Sequence, residues 1–579
     1  MNGSYDRLLF PLNVYATLMA WDFGIVDALH FGLFSETVRK LPQAQQEATE
    51  LLLARLPERQ AGKFLEVGTG LGVLLARLLS EGYDATGLNP DAIQVDIARQ
   101  RYGLDEKRLI RLPFEQAELE NNAYSCIVFQ ESAQYMDQVF LLQRSADLLV
   151  TGGRLVIMDE FMLHCSGREM RRLHYLPFFL EQASRCGLSL TKRKDLGASV
   201  LPTLEYLRSS LARHEKRIAD ELALDPDQLE YLARELDLYV EKYSRGCFGY
   251  ALLCFEKSRS VPYRVFPARP SDQKNIRVLF EQVFGEQLDS ARYAWKYARG
   301  HAMLAWHGNS VVGHYGGMER DILLCGRPDV AVQVGDVMVS PEHRLRKGPF
   351  WLTARAFAEK YVGDCAPFVL AFGFPNRRAM KLGRLLGLYT AVDKMVQLVL
   401  PVRKTSLPAL SCKLRELDAD SFQVLSPAID CLWQRMAVFH RKNIIGIRDA
   451  EYLCRRYVEH PAGQYRIIAR INRISGTLQS LFVLRSQGDD AYLLMDILGP
   501  PDEMMPTIRQ AARVTGRSRR SRLLFWLTAG MADQFFPAGG RVEHEDLDIV
   551  IPMISCTPGL TPDEVRNRWW LTAGDMDFL

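Results

Sequence analysis

The sequence predicts an α/β protein in which a parallel sheet is followed by a duplicated α/β half, and three observations carry that prediction. Between residues 63 and 255 short apolar strands alternate with helical stretches, the order of a parallel sheet covered by helices. A turn with three glycines, Gly68, Gly70 and Gly72, joins the first strand of that run to its first helix. Past residue 263 a strand pattern recurs at a spacing of 160 positions.

Residues 64–67 form a short apolar strand and 73–79 begin the following helix; 84–88 and 92–102 repeat the pair. Residues 125–129 and 154–158 supply two more strands, the second preceded by the turn Thr151-Gly152-Gly153. Residues 8–21 are apolar, but Asp22 and Asp27 interrupt them before the roughly 20 residues that a membrane span needs, so they read as a buried helix. Charge-rich residues 169–243 read as helical, and 250–255 as a last strand. Residues 256–270 hold three prolines among Lys, Arg and Ser, as a linker would. Three domains are expected, at 1–258, 259–402 and 403–579.

A chain of 579 residues exceeds a single core. A net charge of +3 gives no electrostatic case for nucleic acid or an anionic membrane as partner, and the basic run at 517–522 reads as a solvated helix end or loop. The cysteines show no Cys-x-x-Cys pair and the histidines no His-Glu-x-x-His, so no metal site is expected and the thiols read as reduced, in a cytoplasmic protein. No leader or anchor is read at the N-terminus. The expected partner is a small-molecule substrate, with oligomeric state left open.

The stretch Leu-Glu-Val-Gly-Thr-Gly-Leu-Gly at 65–72 needs its glycines for close approach of backbone N–H groups and a helix N-terminus to a ligand. Its spacing is Gly-x-Gly-x-Gly, with Glu66 two residues before the first glycine, where a dinucleotide loop has Gly-x-Gly-x-x-Gly. An acid there suits the cationic amino-acid end of S-adenosylmethionine better than a diphosphate. Over about residues 25–255 the arrangement resembles the class I S-adenosylmethionine-dependent methyltransferases, in the small-molecule, cyclopropane-synthase-like branch. That resemblance implies a Rossmann-like fold and S-adenosylmethionine held by Glu66, Gly68, Gly70, Gly72 and Gln130. It also implies Asn89 at the ribose, where the family usually has an acid, and Phe114-Glu115 beside the adenine. Residues 29–34 (Leu-His-Phe-Gly-Leu-Phe) resemble the covering segment of this branch, with Phe31 where Tyr is usual. The strand ending in Gln130, Glu131, Ser132 and leading to Tyr135 opens on the ligand crevice of such sheets, so Glu131 or Tyr135 is expected to take a proton from the acceptor. Asp159 and Glu160 reach the same edge. No Asn-Pro-Pro-Tyr motif is present, which favours a small molecule over DNA.

In the second half, residues 334–341 match 494–501 at an offset of 160, and 293–296 match 452–455 at an offset of 159. Residues 334–361 read as strand, basic glycine-bearing turn and helix, a cradle for pyrophosphate. With Asn376 and the segment 386–389, this is similar to the GNAT N-acetyltransferases over about 263–400, with a weaker second copy to the end. The resemblance implies two GNAT-like domains and acetyl-CoA or another acyl-CoA. Val337, Met338 and Val339 would lie along the pantetheine; Arg344, Arg346, Lys347 and Gly348 would hold the pyrophosphate. Asn376 would sit near the cofactor arm, and Asp336 would help deprotonate an amine. Gly383 stands where the family often has a tyrosine acid. In the second copy a loop at 501–506 carries acids and no glycine, which would repel pyrophosphate. The expected protein is a bifunctional tailoring enzyme that methylates a small molecule and acylates an amine. The alternative is a methyltransferase whose second half is a scaffold or acyl-CoA sensor. A third, weaker reading is a lipid-modifying enzyme of the cyclopropane-synthase kind.

Overall fold

A computed structural model describes residues 5–24, 26–164, 173–344, 348–364, 366–402, 412–461, 464–535 and 542–576. The chain divides into two compact units, Met1–Phe266 and Pro267–Leu579.

The first unit begins with helices α1 (Leu12–Phe23) and α2 (Leu41–Leu53). Strands β1 (Lys63–Val67), β2 (Asp84–Leu88), β3 (Leu109–Ile110) and β4 (Tyr124–Gln130) alternate with α3 (Val73–Ser80) and α4 (Ala92–Tyr102). Helix α5 (Gln138–Leu148) leads to β5 (Leu149–Met162), then β6 (His174–Tyr175), α6 (Leu176–Arg185) and β7 (Leu188–Asp195). Helices α7 (Gly197–Leu222) and α8 (Pro226–Ser244) precede the last strand of the sheet, β8 (Phe248–Lys257). The sheet order is β3-β2-β1-β4-β5-β8-β7, parallel from β3 to β5 and antiparallel at β8 and β7. Strand β4, in the middle of the sheet, is buried along its whole length, as its apolar run Tyr-Ser-Cys-Ile-Val-Phe requires. Asp91 caps α4 by accepting from the backbone N–H of Ile93 and Gln94, which fixes the turn after β2.

One expectation is corrected here. Residues 169–243 are not continuously helical, since β7 interrupts them. Its charged Lys192, Arg193 and Lys194 sit on an exposed edge strand, where charge discourages further pairing. Residues 165–172 lie outside the described residues.

A short strand, β9 (Arg264–Pro267), leads to the second unit, where helices α9 (Gln273–Phe284) and α10 (Ser290–Tyr297) come first. Strands β10 (Gly300–His307), β11 (Ser310–Leu324) and β12 (Arg327–Val339) form an antiparallel meander, followed by α11 (Pro349–Tyr361), β13 (Ala371–Gly373), α12 (Arg377–Leu385) and β14 (Tyr389–Pro401). The pattern then recurs as β15 (Cys412–Leu417), α13 (Ala419–Phe439), β16 (Ile444–Gly446), α14 (Ala450–Leu453), β17 (Tyr465–Asn472), β18 (Leu478–Gln487) and β19 (Ala491–Leu498). It closes with α15 (Pro501–Arg517), β20 (Arg522–Thr528), α16 (Ala529–Phe535), β21 (Glu543–Ile554), α17 (Pro562–Val565) and β22 (Trp569–Trp570).

Strands cross between the two repeats. β14 lies between β20 and β21 in the sheet β15-β17-β18-β19-β20-β14-β21, while β16 pairs with β11 and with β22. Residues 501–506, expected as a loop, are the first turns of α15, with Pro501 at the helix start where its missing N–H is not needed. The repeat also holds one offset rather than two. Tyr297 donates its hydroxyl to Asp336, and 160 positions on Tyr457 donates to Asp496 Oδ2 at 3.2 Å, so Tyr297 and Tyr457 are the equivalent residues. The match of Tyr293 to Tyr452 is one position out of register.

Candidate active site

The glycine loop follows β1 and enters α3. All three glycines hold left-handed backbone, at φ 79° for Gly68, 53° for Gly70 and 84° for Gly72, but their surroundings differ. A Cβ on Gly68 would stand 2.3 Å from Ser132 Cβ, and one on Gly72 would stand 2.8 Å from Ala98 Cβ. A Cβ on Gly70 would meet nothing within 4 Å among the described residues, so this residue faces open space. Glu66, near the end of β1, is buried, its Oε2 has no partner among the described residues, and burial pushes its carboxyl up to about 8, which the Leu75 amide partly offsets. Thr69 Oγ1 and Gln130 Nε2 are also buried without partners among the described residues, on the loop itself and at the end of the neighbouring strand β4. Unsatisfied buried groups gathered around a glycine turn are what a polar ligand leaves behind.

Asn89 is placed at the end of β2, but its amide already serves the loop. Its Nδ2 donates to Gly70 O at 3.2 Å and Gln94 Oε1 at 3.1 Å, and its Oδ1 accepts from Asp91 N at 2.9 Å. Phe114 is in the core, edge-on to Phe129 and Phe140, while Glu115 is exposed.

The ends of β4 and β5 carry a buried acidic group of residues. Glu131, at φ 52°, accepts both the Phe31 N–H and the Tyr250 hydroxyl on Oε1, each at 2.6 Å. Burial raises its carboxyl well above the ordinary range, and the Tyr250 bond partly offsets this. Asp159 Oδ2 accepts from the Ala133 and Gln134 amides, at 2.8 and 3.2 Å, and Glu160 Oε1 accepts from the Tyr243 hydroxyl at 2.7 Å. Burial lifts both carboxyls to about 7. Tyr135 is 80% exposed beside this group. The segment carrying Phe31 thus reaches the β4 end, and its ring stacks on Tyr250 at 5.9 Å. Tyr243 and Tyr250 escaped sequence reasoning because an aromatic in a helix or strand pattern reads as core.

In the second unit, β12 bulges against β11 at Asp336 and Val337, and Asp336 has φ 48°. The Asp336 carboxylate is held by Lys296 Nζ at 2.6 Å and by the Tyr297 hydroxyl, while its carbonyl bonds His314 Nδ1 at 2.7 Å. It is an ion-paired group, not an open base. Val337 is 36% exposed, Met338 is buried and Val339 half-buried. Arg344 is exposed and donates to Val339 O at 3.3 Å, and Gly348 is the N-cap of α11. Arg346 and Lys347 lie outside the described residues. Asn376 caps α12 by accepting from Ala379 N at 2.9 Å. At Gly383 a Cβ would stand 2.0 Å from the Tyr389 ring, so Tyr389 fills that space, with its hydroxyl 2.7 Å from that of Tyr315.

The family described as "Methyltransferase domain" matches residues 65–157, the span from β1 through most of β5. The first unit carries a methyltransferase domain of Rossmann-like α/β construction. No curated protein matches the chain. Among solved structures it is similar to a candidate sarcosine dimethylglycine methyltransferase from Galdieria sulphuraria, 20% identical, covering 44% of this chain and 99% of that one, TM-score 0.37. It is similar to the [4+2]-cyclase SpnF at 22% identity, 42% and 91% coverage and TM-score 0.36. A third is the cyclopropane synthase MmaA2 from Mycobacterium tuberculosis, at 16% identity, 39% and 89% coverage and TM-score 0.35.

Proposed function

We propose that the first unit transfers a methyl group from S-adenosylmethionine to a small-molecule acceptor. The observation that carries this reading is Glu66, a buried carboxylate with an unpartnered oxygen beside a glycine, Gly70, that faces open space. A ligand with an ammonium group offsets the cost of that buried charge, and Gln130 Nε2 is free to bond its carboxylate. Asn89 holds the loop through Gly70 O, so its contribution to binding is the shape of the loop. When bound, S-adenosylmethionine supplies an electrophilic methyl on a sulfonium, open to in-line displacement.

The acceptor docks at the β4 and β5 ends. Glu131 is the group suited to take its proton: burial makes its ionised form a stronger base than an exposed carboxylate, and Phe31 N–H and Tyr250 fix its direction. Tyr135 stands at the mouth. Incubating the protein with methyl-labelled S-adenosylmethionine and a metabolite extract tests this. Label should pass to a small-molecule fraction, and Gly70→Arg should abolish both transfer and calorimetric binding. Binding retained by that variant would refute the assignment of the loop.

A second reading, N-acyl transfer from an acyl-CoA by the second unit, is favoured by one observation. β12 pairs with β13 only from Val332 to Val334, and from Gly335 to Val337 its residues are partly exposed, leaving an extended cleft edge. The Asp336–Lys296 pair leaves Tyr389 and Tyr315 as its proton donors, and the alternative is a non-catalytic scaffold or sensor. Calorimetry with acetyl-CoA on the whole chain separates binding from its absence, and acetyl transfer to amines separates an enzyme from a sensor.

A further inference from the structure

We infer that the second repeat has no open cleft because the chain's own C-terminal segment, Thr572–Met576, is built into it. The two repeats offer a like-for-like comparison at the 160-residue offset. In the first, strand pairing between β12 and β13 ends at Val334↔Gly373. In the second, pairing between β19 and β20 ends at the equivalent place, Leu494↔Phe525. Each central strand then bulges, β12 against β11 and β19 against β18. Beyond those points the repeats part ways. Val337 is 36% exposed, whereas its counterpart Ile497 is 1% exposed, and Met495 and Asp496 beside it are buried as well.

The difference is the tail. Thr572 bridges Leu527 on β20, and Thr528 N donates to Leu571 O at 3.2 Å. Gly574 lies against the β19 bulge so closely that a Cβ there would stand 2.9 Å from Met495 O and 2.1 Å from the Tyr457 hydroxyl. The tail therefore runs between the splayed ends of β19 and β20, the space that has no such occupant between β12 and β13 among the described residues. Arginines hold it there. Arg448, fully buried, bonds Asp496 Oδ1 at 2.9 Å and Asp575 Oδ2 at 2.5 Å; Arg320 bonds Asp575 Oδ1 at 2.8 Å. Arg456 donates to Gly574 O at 2.8 Å and Met576 O at 2.9 Å, and Gln333 Nε2 donates to Asp575 O at 2.7 Å. The segment turns through a single 3₁₀ turn at Ala573–Asp575, and these bonds satisfy the backbone carbonyls that the turn brings into a dry cleft. The repeat thus carries one accessible cleft and one that is self-occupied, whatever ligand the first one takes.

Thiol labelling of the full chain tests this without a ligand. Ile497→Cys and Val337→Cys report the two equivalent positions, read peptide by peptide to exclude the native cysteines. With the tail in place Ile497→Cys should label at least about tenfold more slowly than Val337→Cys, and adding Asp575→Ala should raise only the former, by about tenfold or more. Equal labelling in the full chain, or no change on adding Asp575→Ala to a folded protein, would overturn the inference. If Asp575→Ala abolishes folding, hydrogen exchange on the unmutated chain decides. Amides of 572–576 should exchange as slowly as those of β19, and exchange at the rate of exposed loops would overturn it.

Discussion

Tyr250 donates its hydroxyl to Glu131 Oε1 over 2.6 Å, joining the antiparallel strand β8 to the carboxylate at the end of β4. The same oxygen accepts the Phe31 amide, so three separated pieces of chain meet on one atom. Glu131→Gln keeps an acceptor at that point and should keep the fold, whereas Glu131→Ala strands a buried hydroxyl and a half-buried amide. A stability difference between the two variants of about 2–3 kcal/mol is expected, read by denaturant unfolding.

In the proposed reaction the same residue should govern the pH profile of methyl transfer. Burial raises Glu131 well above the usual carboxylate range, so its base form grows as pH rises above that range. The rate at subsaturating acceptor should climb with rising pH above the usual carboxylate range, and Glu131→Gln should lose activity and remove the ascending limb. A limb that survives in Glu131→Gln assigns the proton transfer elsewhere.

Glu66 has a different signature, one of stability. Its carboxyl rises from 4.5 to about 8 on folding, so between those values the folded state binds more protons than the unfolded and stability falls with rising pH. Glu66→Gln should remove of the order of 1–3 kcal/mol of that loss. S-adenosylmethionine should bind at least tenfold more weakly to the variant, since an amide replaces a charge facing its ammonium, a difference of about 1.4 kcal/mol or more. Thermal unfolding from pH 5 to 8, with calorimetry, checks both.

The loop glycines should separate folding from binding. Gly68→Ala places a methyl 2.3 Å from Ser132 Cβ and should destabilise the first unit itself. Gly70→Arg meets no atom within 4 Å at its Cβ, so its cost is the positive φ alone, roughly 1 kcal/mol. It should stay folded by circular dichroism and fail to bind S-adenosylmethionine.

Arg448 should be intolerant of truncation. It is fully buried between Asp496 and Asp575, and removing it takes the cation from Asp496 and leaves Asp575 with Arg320 alone. Arg448→Ala should cost about 3–5 kcal/mol in the second unit, and Arg448→Lys should recover part of the charge but not the fork that reaches both acids. Denaturant unfolding monitored by the buried Trp569 and Trp570 reads the change.

Much of the first unit was legible in its sequence because its signals are local. A strand, a Gly-x-Gly-x-Gly turn and a helix are adjacent in the chain, and each glycine is dictated by backbone geometry within a few residues. The alternation of strands and helices around that turn follows from its apolar runs, whereas the order of the strands in the sheet is a tertiary outcome. The β7 edge escaped because its lysines and arginines imitate a solvated helix, and only its pairing with β8 reveals a strand. The second unit was less legible. Periodicity located the duplication, but the contact of Tyr457 with Asp496 was needed to fix its register.

By itself, then, the sequence determined the α/β alternation, the glycine loop with Glu66 before it, and the existence of a repeat, all properties of residues close together in the chain. Tertiary structure alone decided that Tyr250 and Phe31 converge on Glu131, that Asp336 is neutralised by Lys296, and that β14 and β16 cross between repeats. It also decided that the C-terminal tail fills one cleft of two. Those outcomes depend on burial and on pairings between residues as far apart as Arg320 and Asp575, where the cost of a lone charge in a dry interior selects the partner.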